Sequence, residues 1–97
     1  IGFASLVEGV LTVDDGAKRA LVERGTSLLP AGVVDVRGAF DEESIVEVRD
    51  LAGEVIARGM VLCDADTLRR IKGKRTGDLP AEIAHEVVHR DDLVLLH

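Results

Sequence analysis

The sequence predicts a mainly β fold with short helices, in which five or six short strands form a closed, barrel-like sheet. Three observations carry this expectation. Segments 10–13, 33–37, 45–49 and 54–62 alternate or run apolar over strand-like lengths, and glycine- or aspartate-containing turns bound them. Only short stretches, around residues 16–24, 64–74 and 80–84, read as helices. The core must be aliphatic, because 46% of the 97 residues are hydrophobic while Phe3 and Phe40 are the only aromatics. That supply suffices for one small domain and leaves little room for a second core.

Segment 1–8 (IGFASLVE) has no clear period. Residues 9–32 (GVLTVDDGAKRALVERGTSLLPAG) then read as a strand from Val10 to Val13, a turn, a short helix and the approach to a second strand. Asp14 or Asp15 can accept the free N–H groups of the first helical turn and complement its dipole. Ala17, Ala20, Leu21 and Arg24 follow the spacing of a buried stripe, with Lys18, Arg19 and Glu23 outward and Val22 on the flank. Gly25 stops the helix as a left-handed glycine does. In segment 33–37, Val34 and Val36 share the expected inner face. Val46 and Val48 take that role in 45–49, and residues 50–53 (DLAG) form a hairpin loop. Gly59 marks a bulge or bend in segment 54–62.

A second helix covers 64–74, with Asp64 or Asp66 as N-cap and Leu68 and Ile71 as its narrow apolar stripe. Pro80 starts a third short helix to about Ala84. Segment 86–96 is the final strand, bent or bulged at Asp91–Asp92 between its two apolar clusters.

Three stretches together resemble one family. VDDGAKRALVERGTSLLPAGV, GEVIARGMV (53–61) and EVVHRDDLVLL (86–96) occur in order and span nearly the whole chain. They resemble the PUA-like domain, most closely the version at the C-terminus of bacterial glutamate 5-kinase, the ATP-dependent enzyme that begins proline biosynthesis. The resemblance implies a mixed-strand pseudobarrel over 9–97. It implies that 1–8 is a linker remnant from a preceding domain, as a start at Ile1 rather than Met also suggests. It further implies a non-catalytic accessory role, an amino-acid kinase domain of the parent chain as partner, and a homo-oligomer through the parent enzyme. No catalytic residue and no cofactor are expected within these residues.

Composition excludes other classes. A net charge of −6 argues against a general nucleic-acid or membrane-surface role. No apolar run is long enough to span a bilayer. The single cysteine, Cys63, permits no internal disulfide and fits a reducing cytoplasm. It sits where a strand meets a helix N-terminus, which could lower its pKa, but it reads as a small core residue. Residues 85–89 (HEVVH) match the H-E-x-x-H zinc pattern. Adjacent β-branched Val87 and Val88, and only eight residues after His89, suit a strand better than a metalloprotease helix, so no metal site is expected.

The charge is uneven. Arg69, Arg70, Lys72, Lys74 and Arg75 make a basic patch of five within seven residues, leaving 12 − 5 = 7 basic side chains among the other ninety. PUA domains of RNA-modifying enzymes resemble this chain and bind structured RNA with the first helix, the following glycine-containing loop and the last strand. Carried over, that surface is Lys18, Arg19, the loop from Gly25 to Gly32, His89 and Arg90. The competing reading is a solvated helix face answering the helix dipole. Glu23, Asp91 and Asp92 sit beside the implied surface, and without Tyr or Trp there is little to stack on unpaired bases.

Overall fold

The computed structural model describes residues 7–75 and 86–96. In chain order they form β1 (Val7–Val13), α1 (Asp15–Arg19) running into a π-helical turn (Ala20–Arg24), a 3-10 turn (Pro30–Gly32), β2 (Val33–Gly38), β3 (Ile45–Arg49), β4 (Val55–Val61), α2 (Ala65–Ile71) and β5 (Val88–Leu95). The strands make one mixed sheet in the order β2-β1-β3-β4-β5. β1 runs parallel to β3, and the other neighbours are antiparallel. The chain thus adopts the mainly β fold with short helices that the sequence predicts. The helix expected after Pro80, together with His85, lies outside the described residues, as do residues 1–6.

The edge strands β2 and β5 share no ladder among the described residues. Instead α2 packs on β2, and Leu28 makes an isolated antiparallel bridge to Val88. A helix and a loop therefore stand where a further ladder would close the sheet. A single aliphatic core lies inside, containing Leu11, Val13, Val46, Val48, Leu68 and Val88, all without exposed surface.

Local chemistry explains the elements. Asp14 and Asp64 are the N-caps: each Oδ1 accepts a backbone N–H, from Ala17 and Thr67 respectively, at 2.7 Å. Helices this short are not stable alone, so packing holds them. α2 does so with Ala65, Leu68 and Ile71, all buried. In the 50–53 hairpin, Asp50 Oδ1 accepts from Ala52 and Glu54 N–H at 3.0 and 2.9 Å, and Gly53 takes the left-handed backbone with φ of 89°.

Three expectations about faces need correction or sharpening. Val34 is exposed, and Val33 joins Val36 in the core. The cause is a bulge: Thr12 pairs with Asp35 but Val13 pairs with Val33, so Val34 is the extra residue and the alternation breaks. Arg24 is exposed rather than on the buried stripe, and of the residues from Asp15 to Arg24 only Leu21 is buried. There the helix widens into a π turn, which rotates Arg24 out before Gly25 ends it at φ 63°. The bulge in the last strand includes the acidic pair and is larger than one residue. Val61 pairs with Val88 and Gly59 with Leu93, so residues 89–92 stand opposite Met60 alone.

Candidate anion-binding surface

Loop 25–32 is held from three sides. From α1, Asp14 N–H donates to the Gly32 carbonyl at 3.0 Å, and Gly32 lies so close to Ala17 that a Cβ there would come within 2.5 Å of the alanine methyl. From β5, Leu28 N–H donates to Val88 O at 3.0 Å and Val87 N–H to Leu28 O at 2.7 Å. Arg90 N–H adds a bond to Ser27 Oγ at 2.9 Å. From the end of α2, Gly73 N–H donates to Pro30 O at 2.7 Å. The first helix, its loop, the start of the last strand and the end of the basic run therefore meet at one place. A shallow depression of about 280 Å³ lies beside them, lined mainly by Ala17, Ala20, Leu21, Leu28 and Leu29 with Ser27 at its side.

Ion pairing divides the twelve basic side chains into two groups. Six are engaged: Lys18 with Asp50, Arg19 with Glu23, Arg37 with Asp35, Arg49 and Arg58 with Glu47, and Arg69 with Asp66. The other six, Arg24, Arg70, Lys72, Lys74, Arg75 and Arg90, make no ion pair among the described residues, and all are exposed. Arg24 adjoins Gly25, Arg90 bonds to Ser27, and Lys72 and Lys74 flank Gly73. Arg75 follows, and Arg70 lies further back on α2.

The structure brings the candidate residues together unevenly. Lys18 donates to Asp50 Oδ2 at 2.8 Å. That bond, with the attraction between the charges, raises the Lys18 pKa; it is also the largest cause lowering the Asp50 pKa, with the Glu54 N–H next. Lys18 is thus a tie between α1 and the 50–53 hairpin. Arg19 is exposed with Glu23 at 3.9 Å. Arg69 donates to Asp66 and to the Gly38 carbonyl, at the far end of β2 from Pro30. His89 accepts the Asp91 N–H on Nδ1 at 3.1 Å. Arg24, assigned above to a buried stripe, belongs with the exposed cations, and the helix-stopping Gly25 beside it was the available signal. Ser27, read as turn chemistry, is the residue that fastens the loop to the last strand.

Cys63, the one cysteine, is not placed as a nucleophile. It is buried, and burial pushes its thiol pKa up, with Glu42 and Asp64 acting in the same direction. Among the described residues no three His, Cys, Asp or Glu side chains are grouped to hold a metal, and no helix is long and apolar enough to cross a membrane.

The PUA domain family model matches residues 9–83, most of the chain. The chain belongs to the PUA domain family. Curated relatives of this PUA domain include the glutamate 5-kinase of Streptomyces avermitilis, 50% identical over 96% of the chain and 26% of the relative. Another is the glutamate 5-kinase of a Synechococcus species, 46% identical over 99% of the chain and 27% of the relative. The domain therefore spans about a quarter of the length of these relatives. A PUA domain from Aeropyrum pernix, solved as a tartrate complex, superposes with a TM-score of 0.69 at 26% identity, covering 84% of this chain and 41% of that one. A chain of the archaeal box H/ACA sRNP Nop10–Cbf5 complex matches in fold, with a TM-score of 0.60 at 19% identity over 87% of this chain and 26% of that one.

Proposed function

We infer that this PUA domain is the non-catalytic accessory part of a glutamate 5-kinase, contributing to the stability, assembly or regulation of the kinase to which it is joined. The observation that carries the reading is identity of 38–50% to glutamate 5-kinases over nearly all of the domain but only about a quarter of their length. In this reading an amino-acid kinase domain of the same parent chain does the phosphoryl transfer, and the enzyme works in the cytoplasm as a homo-oligomer. The buried Cys63 and the carboxylate-engaged Lys18 are in keeping with a part that does no chemistry itself.

The test is the parent enzyme with and without residues 9–97. Phosphorylation is expected to survive the deletion, while oligomer size, thermal stability or feedback inhibition changes. If all three stay the same, the accessory role is refuted.

One observation favours a second reading, binding of structured RNA: the cations without ion pairs gather on the segments that meet at loop 25–32. Phosphate binding by such residues makes affinity fall steeply with salt. Filter binding with a structured RNA from about 50 to about 200 mM salt should show that fall. Lys72→Gln combined with Lys74→Gln should weaken binding and lower the salt slope by roughly one for each phosphate that is no longer neutralised. Absence of binding at about 50 mM salt removes this reading.

A further inference from the structure

A second concavity, of about 360 Å³, lies on the solvent face of the sheet and has no residue in common with the depression beside loop 25–32. Its floor is Val10 and Thr12 of β1. Asp35 and Arg37 of β2 form one wall, Arg49 and the 50–53 hairpin the other. The register lines up Asp35, Thr12 and Arg49 as direct neighbours across β2, β1 and β3. With strands about 4.8 Å apart, the carboxylate-bearing and guanidinium-bearing backbones lie about 10 Å apart with a hydroxyl between them.

The groups facing this space are balanced in charge and incompletely used. Arg49 donates Nε and Nη2 to Glu47 Oε1 at 3.3 and 2.9 Å, which leaves its Nη1 free of that interaction. Arg37 reaches Asp35 through Nε alone at 3.2 Å. That hydrogen bond is the main cause holding the Asp35 carboxyl below the usual range. Asp50 contributes no charge to a ligand, because Lys18 and two backbone N–H groups already occupy it. The exposed Arg37–Asp35 pair contributes only about 0–1 kcal/mol, so a ligand's ammonium can share or replace it at little cost, while the part-buried Arg49–Glu47 pair stays in place and offers Nη1. Val10 below and Leu51 at the rim, 58% exposed, offer apolar surface between the charges.

We propose that this cleft binds a small zwitterion of amino-acid size, its carboxylate directed to Arg49, its ammonium to Asp35 and its aliphatic part to Val10 and Leu51. A pocket of this size suits a small ligand, and a carboxylate on one wall across from a guanidinium on the other suits a ligand that carries both charges. The inference is independent of the accessory role argued above.

The test titrates the ¹⁵N-labelled chain with L-valine, and separately with isovalerate and isobutylamine, which each carry one of the two charges. Valine should give saturable shifts of amides 10–12, 35–37 and 49–53. Each single-charge compound should bind at least about tenfold more weakly. Asp35→Asn and Arg49→Gln alter half-buried side chains outside the hydrophobic core, so both variants should keep dispersed spectra while losing about tenfold or more in valine affinity. Failure of valine to saturate, equal affinity for either single-charge compound, or full affinity in both variants would overturn the proposal.

Discussion

Leu68→Ala should lower the unfolding free energy by about 2–5 kcal/mol, the range for removing a fully buried leucine side chain. In a domain of this size that corresponds to a fall in melting temperature of roughly 10 °C or more. Leu68 has no exposed surface and sits mid-way along α2 between the buried Ala65 and Ile71. A helix of seven residues has little intrinsic stability. Its docking on β2 therefore depends on this stripe, and truncation leaves a cavity beside β2, which shares no ladder with β5 among the described residues. The consequence reaches the surface, because Gly73, held to Pro30 only two residues beyond the helix, carries Lys72 and Lys74 on either side. Denaturant unfolding monitored by far-UV dichroism measures the loss. Arg70→Ala, on the exposed face of the same helix, serves as the control and should change stability by no more than about 0.5 kcal/mol. Equal effects from the two substitutions would show that α2 is not held by its buried stripe.

The same helix shows what could be read before the structure. Alternation placed Val46 and Val48 inside, and the spacing of Leu68 and Ile71 placed them against the sheet, because each depends only on local period. The left-handed Gly25 was legible, and the caps were narrowed to Asp14 or Asp15 and to Asp64 or Asp66, of which the structure uses Asp14 and Asp64, because a cap acts within one helical turn. Val34 and Arg24 were misplaced because one extra residue in a strand, or one wider helical turn, shifts every later side chain while leaving the composition unchanged. The surface was less legible than the fold. Lys18 reads as an outward residue of the first helix, placed on the RNA-facing surface only by the family resemblance, and only tertiary structure brings Asp50 to it from 32 positions away. Arg19, Arg37, Arg49 and Arg69 pair with carboxylates two to four positions away, so their engagement was within reach of a local reading, whereas no window of sequence contains the Lys18–Asp50 pair.

Gly59→Ala is expected to destabilise the domain by about 1–3 kcal/mol, as overpacking of a filled site does, and to disturb the surface from behind. A methyl group built at Gly59 would lie 2.7 Å from Val88 Cγ1, 2.9 Å from the Asp92 carbonyl oxygen and 3.1 Å from Leu93 Cδ2. Val88 can rotate, but the Asp92 carbonyl is backbone, so β5 must move for the methyl to fit. The segment that would move is the bulge at 89–92, which carries Arg90 and is tied to loop 25–32 through Ser27. Glycine at 59 therefore keeps β5 close enough to β4 for that loop to be stitched to the last strand. Amide spectra should change at 26–29 and 88–93 as well as around residue 59, while amides 50–53 of the opposite hairpin stay in place. Gly53→Ala is the informative contrast. It meets no atom within 4 Å, but its φ of 89° makes any side chain there strained. It should cost stability without moving 26–29 or 88–93. If Gly59→Ala leaves those amides unshifted, close packing of β4 against β5 does not position the loop surface, and the bulge must be held by the Ser27 and Leu28 hydrogen bonds alone.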